Sequence, residues 1–273
     1  MPYTDSSAPE AAGAKPGFAE HTRAFEGGSG ELGVLLCHGF TGSPGGSLRP
    51  WAEHLVEAGF RVRLPLLPGH GTTWEQLNET SWTDWYATVE TAFRLLRQEC
   101  RAVFIGGLSM GGSLALRLAE RYGDDVAALA LVNPAVSSAN PALKALPVLR
   151  RFVPSVKGIT NDIARGGDEW GLRPHAAAGA VLDDRTVAQR PPESGPGRSA
   201  LLLFRSATDH VVDPPGSAKT ILAGINSHDV TVRTLERSYH VATLDYDAPP
   251  AIFAESVRFF RAHDPRRAEA DHG

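Results

Sequence analysis

The sequence predicts an α/β protein with a mostly parallel, doubly wound sheet and a small insertion over one edge of that sheet. Two observations support this fold class. Short apolar runs alternate with helical patterns through residues 34–132, which is typical of parallel strands buried between layers of helices. The alternation breaks down over residues 134–199 and then returns. With 273 residues, of which 42% are hydrophobic, the chain is long enough for one such domain.

The elements follow one another in a regular order. Apolar and often β-branched runs predict the strands, and apolar residues at helical spacing predict the helices between them. The sequence Ser81-Trp82-Thr83-Asp84 matches a capping box and places the start of the longest helix, whose aromatic stripe is typical of core packing. The predicted strands are 34–37, 61–65, 102–105, 126–132, 200–204 and 230–235, and the predicted helices before residue 133 are 47–58, 82–96 and 113–122.

Four regions are predicted to differ in organisation. Residues 1–17 are rich in Pro, Ala, Ser and Gly and are expected to be a disordered arm, and the charged residues 264–273 a flexible tail. The core is expected to comprise residues 18–133 and 200–263, and residues 134–199 to form a cap insertion.

Composition excludes several classes of partner. The net charge of −4 and the pI near 6.2 provide no basic field for nucleic acid or acidic membranes. No apolar run approaches the length that spans a membrane, and no secretory signal is visible. Cys37 and Cys100 are too few for a disulfide scaffold, so a cytoplasmic location is expected. No cluster of His, Cys or carboxylates has the spacing of metal ligands, and neither a metal nor an organic cofactor is expected.

The stretch around Ser109 carries the strongest chemical signal. Gly107-Leu108-Ser109-Met110-Gly111 is a G-x-S-x-G between a predicted strand, expected to stop at Gly106-Gly107, and a predicted helix that runs to Gly123. In that context the motif predicts a nucleophile elbow, a tight turn that strains the serine backbone and presents its hydroxyl at the carboxyl edge of the sheet. A Cβ at either motif glycine is expected to collide with its neighbours.

Two glycine-rich segments need separate interpretations. Residues 28–33 match G-x-G-x-x-G, but they precede a strand instead of opening a helix, so we interpret them as a loop and not as a dinucleotide site. Residues 38–46 follow the first strand, and their glycines allow backbone N–H groups, that of Phe40 in particular, to face the space above the strand ends. This loop is a candidate oxyanion hole. His38 and His70 are interpreted as histidines that brace loops.

The partners of Ser109 are predicted from where strands end. Asp209 lies just past the end of strand 200–204 and has no structural explanation, whereas Asp213 precedes Pro214 and is explained as a helix N-cap. His240 lies in the loop after the last strand, at the same edge as Ser109. The order Ser, Asp, His is the one used by α/β-hydrolases.

Five sequence blocks together resemble the bacterial carboxylesterase/monoacylglycerol lipase family of α/β-hydrolases, over residues 30–260. The blocks are HGFTGSP at 38–44, PLLPGHG at 65–71, GLSMGG at 107–112, SATDHVVDP at 206–214 and SYHVATLDYD at 238–247. The resemblance implies an α/β-hydrolase fold with Ser109 as nucleophile, Asp209 and His240 as its partners, and the N–H groups of Phe40 and Met110 as the oxyanion hole. It implies hydrolysis of small esters with an apolar acyl chain, without a cofactor.

One departure from the family bears on the cap. A further helix is usual before the strand that carries the acid, but residues 183–199 are short and rich in Pro and Gly. We therefore expect a shortened cap and a preference for short- to medium-chain esters or monoacylglycerols. Three alternatives stay open: a cofactor-free perhydrolase or haloperoxidase, an amide hydrolase with the same three residues, and a non-catalytic binding protein with this fold.

Overall fold

A seven-stranded sheet forms the centre of the protein in the computed structural model, which describes residues 22–137, 155–157, 162–165, 175–177, 199–227 and 229–266. Its strands are β1 (Phe25–Gly27), β2 (Leu32–Cys37), β3 (Arg61–Leu64), β4 (Ala102–Leu108), β5 (Ala128–Val132), β8 (Ala200–Ser206) and β9 (Val230–Leu235). The strand order is β1-β3-β2-β4-β5-β8-β9, with β1 antiparallel to β3 and all other neighbours parallel. The prediction of a mostly parallel α/β-hydrolase sheet is confirmed.

Helices cover both faces of the sheet because the side chains of each strand alternate between two apolar layers. On β2, Val34 and Leu36 face one layer and Leu35 and Cys37 the other. The α-helices are α1 (Arg49–Glu57), α2 (Trp74–Asn78), α3 (Trp82–Glu99), α4 (Met110–Tyr122), α5 (Pro214–Gly224) and α6 (Ala254–Ala262). Helices α1 and α6 supply the first layer, and α3, α4 and α5 supply the second.

Local signals place the ends of several helices. The Asp84 carboxylate accepts a hydrogen bond of 2.8 Å from the Ser81 backbone N–H, as the capping box predicts for the start of α3. Gly59 and Gly123, which follow α1 and α4, have φ angles of +90° and +53°. These left-handed conformations favour glycine.

Strand β4 differs from its prediction, which ended it at the pair Gly106-Gly107. The strand continues through both glycines to Leu108, pairing Gly106 with Leu36 of β2. A Cβ at Gly106 would lie 2.5 Å from the Leu36 side chain and 2.8 Å from the Trp51 ring. The glycine is therefore explained by the close packing of α1 on the strand and not by a chain break.

The region predicted as a cap lies mostly outside the described residues, as do the predicted disordered arm, most of the tail and the Pro/Gly-rich residues 183–198. Two short strands are described within it, β6 (Ser155–Lys157) and β7 (His175–Ala177), and they pair antiparallel with each other. No strand was predicted there. Strand β7 lies beside α2, which shows that part of the insertion packs against the core.

Candidate active site

Ser109 lies in a strained turn between β4 and α4. Its φ and ψ angles are +55° and −122°, a region that costs a non-glycine residue on the order of 1–3 kcal/mol. The turn is held in place because the Ser109 N–H donates to Val132 O of β5 at 3.0 Å and its carbonyl accepts from the Gly112 and Ala135 N–H groups. The prediction of a tight strand–turn–helix at this serine agrees with the geometry.

The two motif glycines allow the turn to form. A Cβ at Gly107 would lie 2.5 Å from the carbonyl oxygen of Gly111, and a Cβ at Gly111 would overlap the carbonyl oxygen of Cys37. Neither neighbour is a side chain that can move aside, since both are backbone atoms. Helix α4 consequently begins at Met110, three residues earlier than its apolar spacing predicts. The Met110 N–H is among the first in the helix and has no acceptor within it.

Asp209 and His240 meet at the carboxyl edge of the sheet, in the loops that follow β8 and β9. His240 Nδ1 lies 2.8 Å from Asp209 Oδ2, and the side chains are 8% and 0% exposed. The second oxygen, Oδ1, accepts from the backbone N–H groups of Val211 and Val212 at 2.8 and 2.9 Å. Asp209 therefore orients the imidazole ring by accepting a hydrogen bond from its Nδ1–H, which leaves Nε2 on the side of the ring away from the carboxylate.

The Asp209 carboxyl is ionised despite its burial. Burial alone would raise its pKa, but the hydrogen bond from His240, its positive charge when protonated, and the N–H groups of Val212 and Val211 outweigh that effect. The net result is a pKa below the ordinary value for aspartate. An ionised partner is what stabilises an imidazolium.

Asp213, the competing carboxylate, has the structural role that its sequence predicts. Its Oδ1 accepts from the Gly216 N–H at 3.1 Å, with Pro214 at the first position of α5. The carboxylate caps that helix.

The loop after β2 approaches Ser109 and is fixed by His38. The Leu67 N–H donates to His38 Nε2 at 3.1 Å, so the ring proton is on Nδ1, which donates to Gly39 O at 3.0 Å. Gly39 O also accepts from the Gly42 N–H at 3.1 Å. In a trans peptide the C=O and N–H point in opposite directions, so the next N–H, that of Phe40, points away from His38. Within the described parts of the chain, nothing accepts a hydrogen bond from it.

His70 packs against His38, with ring centroids 5.0 Å apart. Burial lowers the pKa of His38 to about 4, and burial together with the neighbouring His38 lowers that of His70 to about 3. His70 Nδ1 lies 3.1 Å from Pro68 O, while its Nε2 has no partner among the described residues. Both histidines are neutral, and this agrees with their interpretation as loop braces.

Asn133, which was not predicted as a functional residue, connects three strand ends. This fully buried residue follows β5 with a φ of +42°, a conformation that Asn tolerates better than most residues. Its Nδ2 donates to His240 O at 2.9 Å and to Ser206 Oγ at 2.9 Å, and its Oδ1 accepts from the Ser206 N–H at 2.7 Å. A polar residue that ends an apolar strand just before Pro134 was the available signal.

Asp245 was also missed and organises the loop that carries His240. The side chain is buried, and its oxygens accept from four backbone N–H groups at 2.6–3.1 Å. The donors are Ala164, Arg165, Tyr239 and Tyr246. Asp245 thus ties residues 164–165, from within the insertion, to the His240 loop.

Comparison with known proteins decides the family. Residues 31–247 match the sequence model of the family described as Serine aminopeptidase, S33. This chain belongs to that family of serine hydrolases. It is 39% identical over 260 residues to a thermostable monoacylglycerol lipase of Bacillus sp. (strain H-257), covering 93% of this chain and 97% of the relative.

Solved structures of this fold include lipolytic enzymes. One, reported with the metagenome-derived lipolytic enzymes LipS and LipT, is 33% identical with a TM-score of 0.84 and covers 92% of this chain and all of that one. The monoacylglycerol lipase of Paleococcus ferrophilus, 20% identical with a TM-score of 0.70, covers 88% of this chain and 98% of its own and shares the fold. The expected resemblance to carboxylesterases and monoacylglycerol lipases is confirmed.

Two kinds of feature are absent from the described residues. No helix in the described ranges combines the length and apolar character needed to cross a bilayer. Across the same ranges, no three His, Cys, Asp or Glu side chains are grouped as they would be around a metal ion.

Proposed function

We propose that this protein hydrolyses carboxylic esters with Ser109 as nucleophile, His240 as general base and Asp209 as the group that orients it. The observation that supports this most is the buried 2.8 Å contact between His240 Nδ1 and Asp209 Oδ2, at the sheet edge where the strained turn presents Ser109. A serine is a weak nucleophile until a base removes its proton, and a base needs a third group to fix its tautomer.

The reaction proceeds in two acyl transfers. His240 Nε2 takes the Ser109 proton while Oγ attacks the ester carbonyl carbon, and the imidazolium then gives that proton to the leaving alcohol as the C–O bond breaks. Water repeats the sequence on the acyl-enzyme and releases the acid and free Ser109. Asp209 stays ionised throughout and stabilises the imidazolium.

The Phe40 and Met110 N–H groups form the proposed oxyanion hole. Support comes from the His38 bond that turns the Phe40 N–H away from the histidine and from the position of Met110 at the start of α4. Two preorganised N–H donors stabilise the tetrahedral oxyanion and no metal or organic cofactor is required.

The proposed substrates are small neutral esters, short- to medium-chain acyl esters or monoacylglycerols. The relative that is 39% identical carries the name of a monoacylglycerol lipase. We propose that the insertion over residues 134–199 is the cap that shapes the acyl pocket, since its residues 164–165 bond to Asp245 at the active-site edge.

A chain-length series of p-nitrophenyl esters tests the proposed cap. The value of kcat/KM should rise roughly three- to fourfold per acyl carbon and then level off before palmitate. A steady rise to the longest chain would contradict a shortened cap.

The proposed location is the cytoplasm, with no nucleic-acid partner. Both cysteines are free and buried, and burial raises the pKa of each thiol. Such thiols are compatible with a reducing compartment, and the net charge of −4 provides no attraction for nucleic acid.

Labelling with a fluorophosphonate probe tests the proposed function. The wild-type protein should be labelled stoichiometrically and the Ser109→Ala variant not at all, with p-nitrophenyl butyrate hydrolysed in the same preparation. A family described as serine aminopeptidases makes amides the second candidate substrate. Aminoacyl p-nitroanilides are therefore assayed in parallel, and faster turnover of the anilides than of the esters would overturn the ester assignment.

A further inference from the structure

Asp162 connects the loops that carry Asp209 and His240. It lies within the insertion, and its side chain is only 12% exposed. Its Oδ2 accepts from the backbone N–H groups of His210 and His240 at 3.1 and 3.2 Å. Its Oδ1 lies 2.7 Å from His210 Nδ1, and its own carbonyl accepts from the Val241 N–H at 3.0 Å.

These contacts reach the loops of both members of the proposed catalytic pair, Asp209 and His240. His210 directly follows Asp209, and His240 is the base itself. One carboxylate therefore accepts hydrogen bonds from the backbone on both sides of the 2.8 Å contact between His240 and Asp209. The two loops come from different strands, whose ends are also joined by Asn133 and by the Ser206 hydroxyl, which donates to Tyr239 O at 2.8 Å. A hydrogen bond between a ring and a carboxylate depends on the separation of both backbones, and Asp162 accepts a hydrogen bond from each of them.

The position of Asp162 is itself fixed by the core. Two residues further along, the Ala164 and Arg165 N–H groups donate to the buried Asp245 carboxylate, which also accepts from the Tyr239 N–H beside His240. The short segment 162–165 is therefore attached to the His240 loop at both ends. A shift of the insertion would therefore move segment 162–165 and, with it, the backbone of His240.

We propose that Asp162 is a positioning residue for the catalytic pair, through which the insertion holds the Asp209 and His240 loops in register. This inference rests on the proposed function of those two residues. Asp162 reaches no reacting atom in this arrangement and acts through the backbone of His240 and His210. The expected consequence of its loss is a slower chemical step with unchanged substrate binding, since a small displacement of a catalytic group costs up to about 100-fold in rate.

The test compares Asp162→Ala and Asp162→Asn with Asp229→Ala. Asp229 is a matched control: it pairs with His263 at 2.8 Å as Asp162 pairs with His210, but it precedes β9 and lies at the opposite edge of the sheet from His240. For hydrolysis of p-nitrophenyl butyrate, we expect kcat to fall about 10- to 100-fold in Asp162→Ala, with KM within about twofold of wild type. Asp229→Ala should match wild type.

Two variants, His210→Ala and Asp162→Asn, separate the contacts of Asp162. His210→Ala removes the bond to Oδ1 and the edge-to-face contact with the Tyr239 ring, and it leaves the bonds from the His210 and His240 N–H groups, so kcat should fall by less than about threefold. Asp162→Asn keeps the shape of the side chain and one acceptor oxygen, so its kcat should lie between those of wild type and Asp162→Ala. This conservative variant keeps the proposal testable where the alanine variant fails to fold.

A spectroscopic measurement is independent of turnover. The proton shared by His240 Nδ1 and Asp209 Oδ2 should give a downfield ¹H NMR signal that is absent in His240→Gln. This signal should shift or broaden in both Asp162 variants and stay in place in Asp229→Ala. An unchanged signal and a kcat within about twofold of wild type in folded Asp162→Ala would overturn the positioning role. Failure of the wild-type protein to react with the fluorophosphonate would instead overturn the proposed function, and the NMR comparison would still decide the role of Asp162.

Discussion

Gly39 packs so closely on Ser109 that a Cβ at position 39 would lie 3.3 Å from Ser109 Cβ and 3.9 Å from Ser109 Oγ. The other near atom is Leu108 O at 3.5 Å, so the space is tight but not closed. The φ of Gly39 lies outside the left-handed region, and an alanine there meets no backbone strain. The short distance between the proposed oxyanion loop and the proposed nucleophile thus favours glycine at position 39.

Gly39→Ala should therefore impair turnover more than stability. The added methyl group must displace either Ser109 or the loop that carries the Phe40 N–H, and kcat for p-nitrophenyl butyrate should fall about 10- to 100-fold. Gly59→Ala is the matched control, because its Cβ meets open space but its φ is +90°. That variant should lose roughly 1 kcal/mol of unfolding free energy in urea and keep wild-type kcat. Equal kcat in the two variants would contradict the proposed geometry.

Substitutions of the three proposed catalytic residues should act as a unit. Ser109→Ala and His240→Ala are each expected to lower kcat by about 10⁴- to 10⁶-fold, and Asp209→Asn by somewhat less, since Asn cannot hold the productive tautomer. Asp213→Asn is the control because Asn caps helices as well as Asp. If Asp213→Asn abolished turnover and Asp209→Asn did not, the acid would be misassigned.

The buried histidines should make the fold sensitive to acid. Unfolding returns His38 and His70 to the ordinary pKa of about 6.5, from about 4 and about 3 in the folded protein. Below pH 6.5 the two histidines bind protons in the unfolded state but stay neutral in the folded state. The contribution of each neutral histidine to the free energy of unfolding is therefore complete above pH 6.5 and is lost as the pH falls. At pH 5 the loss is about 2 kcal/mol per histidine.

Urea titrations of wild type and His70→Asn between pH 7.5 and pH 5 measure this effect. Asn can donate to Pro68 O as His70 Nδ1 does but does not titrate, so the variant should lose about 2 kcal/mol less than wild type over this range. Comparing each protein with itself removes any difference in packing at pH 7.5. Parallel pH dependences for the two proteins would mean that His70 is not buried in its neutral form.

Which features the sequence could predict depended on how local their causes are. The turn at Ser109 depends on the glycines two positions away on either side, and the N-cap role of Asp213 is indicated by its neighbour Pro214. Both features can therefore be predicted from a short stretch of sequence. The end of β4 was misplaced because the reason for Gly106 lies in Trp51 and Leu36. Nothing near Gly106 in the sequence reports that contact.

The polar contacts around the base could not be predicted for the same reason. Asp162 is 78 residues from His240, and Asn133 is 73 residues from Ser206. A carboxylate or an amide in a loop has many possible partners, and only the assembled sheet edge selects among them. Composition and periodicity predict which strand ends meet but not which side chains tie them together.

Substitution of Asn133 tests these polar contacts most directly, because an aspartate side chain has nearly the same shape as asparagine but lacks its N–H donors. In Asn133→Asp, Oδ1 still accepts from the Ser206 N–H, but an oxygen replaces the Nδ2 that donates to His240 O at 2.9 Å and to Tyr239 O at 3.3 Å. Two carbonyls would then face a buried carboxylate, and the unfolding free energy in urea should fall by about 3 kcal/mol or more.

Asn133→Gly is the control for backbone conformation. It removes the same side-chain bonds as alanine but adopts a φ of +42° without strain, so it should be more stable than Asn133→Ala by about 1 kcal/mol. Both should retain more stability than Asn133→Asp, because neither buries a charge. All three should lower kcat, since the His240 carbonyl loses its donor. An Asn133→Asp variant within about 0.5 kcal/mol of wild type, with full turnover, would show that this amide does not hold the His240 loop in place.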